Sequence, residues 1–122
     1  MANILIVDDS DTVRVQLRKD LQSKGHTVVE GVDGVDGLSK LQAATGIQLI
    51  IADVNMPNMN GFEMCTKIHQ DAKYKAIKIF MLTTEASALM KLKGMDAGVT
   101  AWIVKPYVAE KLLAAVDKVL LR

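Results

Sequence analysis

The chain has little that would stabilise it by covalent or metal cross-links. It has a single cysteine, Cys65, so no internal disulfide can form, and no Cys/His cluster has zinc-ligand spacing. It has almost no excess charge either. Fifteen Lys and Arg oppose fourteen Asp and Glu, a formal net charge of +1. Nucleic-acid binding driven by bulk positive charge is therefore disfavoured. Long apolar runs are missing. The longest, Leu112 to Val116, has five residues, against the ~18 that a membrane span needs. No charged start leads into an apolar leader, because Asp8 and Asp9 arrive first. Repeats, linkers and low-complexity stretches are absent as well. What remains is 122 residues, half of them hydrophobic and 24% charged. That profile leads us to expect one globular domain, 1–122, without a second domain. A chain this long buries roughly two-thirds of its unfolded surface and needs no staple. These features together lead us to expect a cytoplasmic protein with no membrane partner.

Short apolar runs alternate with helical patterns along the whole chain. Asn3 to Val7 reads as a buried strand. From Thr12 to Lys24, Val13, Leu17 and Leu21 recur every four residues and form a helix face, closed by Gly25. Thr27 to Val32 is a weaker strand, and Val35 to Ala44 a helix with Leu38 and Leu41 inward. Leu49 to Asp53 is a third strand. Asn55 to Gly61, with Pro57, Asn58 and Asn60, is a loop. Phe62, Cys65 and Ile68 then share a helix face. Lys78 to Leu82 is a fourth strand and Glu85 to Ala97 a fourth helix. Ala101 to Val104 is a fifth strand, and Ala109 to Leu121 a fifth helix carrying Leu113, Val116 and Leu120. Five β-α units in series predict an α/β fold, a doubly wound parallel sheet with helices on both faces.

In such sheets ligands bind beyond the carboxyl ends of the strands. Strand one ends at Asp8 and Asp9, strand three at Asp53 and strand four at Thr83, and strand five runs into Lys105 and Pro106. Each has an ordinary explanation: Ser10 or Asp11 could cap the first helix, Thr83 or Thr84 could cap the fourth, and Lys105 could be a solvated strand end. Jointly they ask for more. Three carboxylates at one edge repel one another unless a cation or ligand offsets the charge. Mg²⁺, a hard ion that keeps part of its water shell, suits such a set. A lysine and a hydroxyl beside it suit an anion. Metal, lysine and hydroxyl around a carboxylate are equipment for phosphoryl transfer, with Asp53 on the central strand as nucleophile.

Four stretches carry a resemblance. They are Ile4 to Ser10 (Ile-Leu-Ile-Val-Asp-Asp-Ser), Ile50 to Gly61 (Ile-Ile-Ala-Asp-Val-Asn-Met-Pro-Asn-Met-Asn-Gly), Met81 to Ala86 (Met-Leu-Thr-Thr-Glu-Ala) and Ala101 to Tyr107 (Ala-Trp-Ile-Val-Lys-Pro-Tyr). In this order they resemble the receiver domain of bacterial two-component response regulators, over the whole chain, and within it the stand-alone chemotaxis regulators without an effector domain. The resemblance implies a flavodoxin-like sheet of strand order 2-1-3-4-5. It implies Asp53 as phosphoacceptor, Asp9 as a direct Mg²⁺ ligand, Asp8 as an acid acting mainly through water, and the Asn55 backbone carbonyl as a further ligand. Thr83 and Lys105 would hold the phosphoryl group. Asn55 and Glu85 would tune its lifetime. Trp102 would be the rotating aromatic switch, and Lys105–Pro106 a cis peptide. The implied partners are a sensor histidine kinase and an output protein on the face of helix four, strand five and helix five, such as a flagellar motor switch or a phosphatase. The chain would be a monomer or a weak phosphorylation-dependent dimer. It would be a switch with only self-phosphorylation and autodephosphorylation chemistry. On phosphorylation Thr83 would move and Trp102 turn inward.

Two departures bear on the partner. Tyr107 stands where that subgroup usually has Phe, and Ser87, Ala88, Leu89 and Met90 replace polar or charged residues. The apolar positions of helix four span more than the ~100° that one buried face requires, so some should stay exposed near Trp102. Other signals read as ordinary. Met64, Met81 and Met95 sit in regular elements, and core filling is the reading for most of the methionines. His26 and His69 are isolated, Cys65 is an inert buried thiol, and Lys91 and Lys93 belong to a solvated face. Other functions remain open. A non-chemotaxis phosphorelay or a phosphate sink would use the same residues. A flavodoxin-like electron carrier would need a phosphate loop where Asp8, Asp9 and Asp11 stand. An aspartate-nucleophile phosphatase would need an acid where Asn55 stands.

Overall fold

The computed structural model describes residues 1–121. The first strand, β1 (Asn3–Val7), carries Ile4, Leu5, Ile6 and Val7 with no exposure. It lies between β2 and the central strand β3 in a parallel sheet ordered β2-β1-β3-β4-β5, with β2 Thr27–Gly31, β3 Ile47–Ala52, β4 Lys78–Thr83 and β5 Ala101–Val104. Successive strand side chains point to opposite faces, and the core divides accordingly. Leu5, Val7, Ile50, Ala52, Ile79 and Met81 pack on one side with Leu41 of α2 (Gly34–Ala43) and Met64, Cys65 and Ile68 of α3 (Gly61–Gln70). Ile4, Ile6, Leu49, Ile51, Phe80 and Leu82 pack on the other with Leu17 and Leu21 of α1 (Asp11–Gln22) and Leu112 and Val116 of α5 (Ala109–Leu120). Ala97 of α4 (Ala88–Ala97) joins the first cluster.

Register brings the strand ends level. Val7 pairs with Gly31 and with Ala52, Ala52 with Met81, and Thr83 with Val104. The ladder then runs one residue further: Asp8 N–H donates to Gly31 O (3.1 Å), Asp53 N–H to Val7 O (3.0 Å) and Lys105 N–H to Thr83 O (2.8 Å). Each chemically distinctive residue therefore leaves the sheet from a fixed backbone.

Several boundaries differ from the sequence reading, for local reasons. α1 stops at Gln22, and the chain turns through Gly25 at φ 85°. α2 starts one residue early because the Asp33 side chain accepts from Asp36 N–H. α3 starts at Gly61 behind a reciprocal cap, Asn60 and Glu63 each bonding the other's backbone N–H. The largest difference is α4, which begins at Ala88 rather than Glu85. Ser87 is its cap, not Thr83 or Thr84, and accepts from Met90 N–H at 3.1 Å. The backbone of Glu85 is engaged elsewhere, its N–H with Thr83 Oγ1 (3.3 Å) and its carbonyl with the Trp102 indole (2.8 Å). Met64 and Met81 are buried in the core, whereas Met95, at 70% exposure, is with Leu89 and Leu92 one of the α4 positions that stay exposed, as the width of the apolar arc predicts. β5, at the sheet edge, is half-buried rather than covered on both faces.

Candidate functional site

Asp8, Asp9 and Asp53 each present a carboxylate oxygen, all within 4.8 Å of one another. Asp8 and Asp53 are buried, and Asp9 is exposed. Lys105 lies between the two buried acids. Its Nζ is 2.8 Å from Asp8 Oδ2 and 2.8 Å from Asp53 Oδ2. The Lys105–Pro106 peptide is cis. Thr83 is fully buried at the end of β4. Thus the residues that the sequence placed at four strand ends do assemble at one sheet edge.

Each acid is also held by its own loop. Asp53 Oδ1 accepts from Val54 N–H (2.6 Å) and Asn55 N–H (3.4 Å). Asp8 Oδ1 accepts from Ser10 N–H at 2.9 Å, and Ser10 in turn caps α1 by accepting from Val13 N–H. Burial raises the pKa of Asp8 from its ordinary value. The hydrogen bonds from Lys105 and Ser10 work against that rise, and the charge of Asp53 adds to it. Burial disfavours the charged form of Lys105, but the hydrogen bonds and charges of Asp53 and Asp8 outweigh it and raise the pKa. The ammonium therefore stays charged and offsets part of the carboxylate repulsion. One cation facing three acids leaves a net negative pocket of hard oxygen donors, the donor chemistry of Mg²⁺. Asp8, Asp9 and Asp53 are the residues that could hold it.

The mouth of the site is bridged. Asn55 Nδ2 donates to Glu85 Oε1 at 3.0 Å, linking the loop after β3 to the loop after β4. The Trp102 ring is half-buried and stacks on Phe62, with centroids 6.1 Å apart and planes at 24°. A Cβ added at Gly94 of α4 would stand 2.8 Å from Trp102 Cζ3, so the ring occupies a notch that glycine makes. Cys65 is buried, its thiol is pushed up to about 12 by burial, and it donates to Ala97 O at 2.9 Å. His69 lies far from the acids, with Nε2 3.0 Å from Ile77 O.

Two features were not singled out from the sequence. Asn58, at φ 67°, donates from Nδ2 to Asp33 Oδ2 at 2.7 Å and ties the loop after β3 to the start of α2. Arg14 donates from its guanidinium to the backbone carbonyl of Asp8 at 2.6 Å and pairs with Asp11 and Glu30. The Asp11–Arg14 spacing of one helical turn was the available signal for Arg14. Nothing in the local sequence signals the Asn58–Asp33 bond.

Residues 4–117 match the family model described as "Response regulator receiver domain". The chain is 36% identical over 118 residues to "Chemotaxis protein CheY1" of Helicobacter pylori, covering 96% of this chain and 95% of that protein. It is equally identical to "Chemotaxis protein CheY homolog" of Campylobacter jejuni, covering 96% of this chain and 91% of the relative. Among solved structures, chemotaxis protein CheY4 of Vibrio cholerae superposes with a TM-score of 0.91 at 42% identity, over 98% of both chains. Among the described residues no helix is long and apolar enough to cross a membrane.

Proposed function

The chain belongs to the response-regulator receiver family of two-component systems, and on that premise we propose that it is a cytoplasmic, phosphorylation-driven switch in chemotaxis signalling whose phosphoacceptor is Asp53. One observation carries the reading. A charged lysine sits 2.8 Å from Asp53 and from Asp8, inside a three-carboxylate cluster at the end of the central strands. A structural ion pair would need one acid, and the other two fit a divalent cation.

A carboxylate oxygen of Asp53 attacks the phosphorus of a phosphohistidine presented by a sensor kinase. The new O–P bond forms as the P–N bond breaks, and the imidazole nitrogen leaves with the bonding pair. Asp8, Asp9 and Asp53, with the Asn55 backbone carbonyl, would hold Mg²⁺, which when bound would supply neutralisation of charge on the transferring group. The Lys105 ammonium exchanges its contact with Asp53 for a phosphoryl oxygen. The Thr83 hydroxyl, now accepting from Glu85 N–H, donates to another. Moving Thr83 disturbs the loop whose Glu85 carbonyl holds the Trp102 indole. Trp102 is tucked against Phe62 and Gly94 here, so the tucked rotamer fits the fold without a phosphoryl group, and phosphorylation would act by shifting the balance between this rotamer and others. Asn55 and Glu85, bonded across the mouth, control water access and the lifetime of the acyl phosphate. The chemistry ends with hydrolysis of that bond, so the chain is a switch and not a turnover enzyme. Output passes to a partner, such as a flagellar motor protein, on the face of α4, β5 and α5.

The test uses acetyl phosphate and Mg²⁺ with intact-mass detection. The parent should gain one phosphate at residue 53, and Asp53→Asn should gain none while keeping its circular dichroism. Labelling of Asp53→Asn at the parental rate would refute the assignment. A non-chemotaxis phosphorelay remains the second reading, favoured by exposed Leu89, Leu92 and Met95 on α4. It would show normal phosphoryl uptake without motor-protein binding.

A further inference from the structure

Asp8 uses all of its polar groups. Its N–H donates to Gly31 O, its Oδ1 accepts from Ser10 N–H and its Oδ2 from Lys105. The remaining group is the backbone carbonyl, which accepts from Arg14 Nη1 at 2.6 Å. That carbonyl belongs to the peptide joining Asp8 to Asp9. A peptide is planar, so fixing its oxygen fixes the plane from which both acids depart. Asp9 itself is exposed.

Arg14 is well placed to hold that plane. Its side chain is only 11% exposed. The guanidinium also pairs with Asp11 at the start of α1 and, through Nε at 3.3 Å, with Glu30 of β2. Arg18 Nη1 holds the other oxygen of Glu30 at 2.6 Å, which fixes the anchor in turn. A rigid planar fork with several donors can grip three acceptors in one orientation, whereas an ammonium on a flexible stem cannot.

We propose that Arg14 is a positioning residue for the divalent-cation site, setting the Asp8–Asp9 peptide so that both carboxylates present to one ion. The inference rests on the Mg²⁺ reading above. It makes a prediction opposite in sign to simple electrostatics. Arg14 is a cation beside an acidic cation site, so removing its charge alone should tighten metal binding. Removing a positioning group should weaken it, and partners that orient metal ligands are worth about 10–100-fold in affinity.

The experiment is a calorimetric titration of MgCl₂ into the parent, Arg14→Met and Arg14→Lys at fixed ionic strength, well below each melting temperature. The first variant keeps bulk and loses charge and donors. The second keeps the charge and loses the fork. We expect both to bind Mg²⁺ more weakly, Arg14→Met by about 10-fold. The Asp9 amide resonance of each metal-free variant should also shift from its parental position, which needs no activity measurement. Tighter or unchanged binding by Arg14→Met would overturn the proposal. So would parental affinity in Arg14→Lys, since charge rather than geometry would then be sufficient. If Arg14→Met does not fold, Arg14→Lys decides alone. A parent that binds no Mg²⁺ would refute the metal reading itself and this inference with it, and that outcome is distinct from the others.

Discussion

Helices α3 and α4 cover the same face of the sheet and have ten residues each, yet they differ in how much they bury. α3 buries Gly61, Met64, Cys65 and Ile68 and opens with a reciprocal cap. α4 buries only Gly94, and leaves Leu89, Leu92 and Met95 exposed at 64%, 57% and 70%. The strands beneath follow suit: β3 is buried from Leu49 to Ala52, whereas no residue of β5 is fully buried. The half that carries the acids is thus fixed by packing. The half that carries Trp102 is held by a few contacts, chiefly the Gly94 notch, the Glu85 carbonyl and the Cys65–Ala97 bond. Elements with few buried contacts reposition at low free-energy cost. A site that must keep its geometry belongs on the first half, and a surface that must change belongs on the second.

The largest expected effect tests the fixed half. Ile68→Ala truncates a side chain at 1% exposure and should cost about 2–5 kcal/mol. Leu92→Ala on α4 should change stability by no more than about 0.5 kcal/mol. Urea melts of both variants measure the contrast, and equal losses would dissolve the comparison.

Gly94→Ala probes the joint between the halves. Alanine improves helix propensity by about 1 kcal/mol. Its Cβ would meet Trp102 Cζ3 at 2.8 Å, and overpacking of that kind costs about 1–3 kcal/mol. The ring is half-buried, so it has somewhere to go. We expect it to leave the notch, keeping the net stability change within about 1 kcal/mol. Trp102 fluorescence should shift as the indole loses Glu85 O, and binding of the output partner should fall. An unchanged emission spectrum with parental partner binding would show that the notch does not hold the switch.

The third prediction concerns charge in the fixed half. The folded-state pKa of Asp8 is raised, with burial as the main cause. Folding therefore favours protonated Asp8. That contribution is full below the unfolded value of about 3.9 and is lost as pH rises through the folded value. Without metal, the Asp8 carboxyl therefore works increasingly against the fold as pH rises above the ordinary carboxylate range. Asp8→Asn should then melt above the metal-free parent at pH 7, and the gap should narrow as pH falls towards the ordinary carboxylate range. Mg²⁺ at 100 times its Kd should raise the parent by about 2.7 kcal/mol and the variant by much less. Asp33 provides the opposite slope. Bonds from Asp36 N–H and Asn58 lower its pKa, so its contribution is present above the unfolded value and lost as pH falls through the folded one. Thermal melts against pH, with and without metal, separate the two.

Legibility in the sequence follows the kind of constraint rather than the half. Asp8, Asp9, Asp53, Thr83 and Lys105 could be placed because they end or follow apolar strands, and parallel pairing puts strand ends level. The start of α4 could not be placed. The segment Thr84 to Ala86 has helical composition, and what keeps Glu85 out of the helix is the Trp102 indole, 17 residues away. That some apolar α4 residues stay exposed was legible from the width of their arc, but which ones, Leu89, Leu92 and Met95, was not, because the arc does not say how the helix sits on the sheet. For Arg14 the sequence shows only the Asp11 pair one helical turn away; its bond to the Asp8 backbone carbonyl leaves no mark in a residue pattern.

The smallest stability effect carries the most information about output. Leu89 and Leu92 stand in solvent on α4, one turn apart, on the helix whose Gly94 packs against half-buried Trp102. Polar side chains there would cost the fold nothing, so packing gives no reason for leucine. Leu89→Gln and Leu92→Gln should therefore leave the melting temperature unchanged within about 0.5 kcal/mol. Phosphoryl uptake from acetyl phosphate should also match the parent, because neither residue touches the acid cluster. Association with the output partner is where loss is expected. An apolar anchor buried at an interface contributes about 2 kcal/mol or more when truncated, a drop in affinity of roughly 30-fold. The measurement pairs each variant with candidate motor proteins and with a second copy of the chain, phosphorylated and unphosphorylated, by calorimetry and analytical ultracentrifugation. If both variants bind every candidate as the parent does, α4 is loosely packed for some reason other than docking, and its freedom to move must act through Trp102 alone.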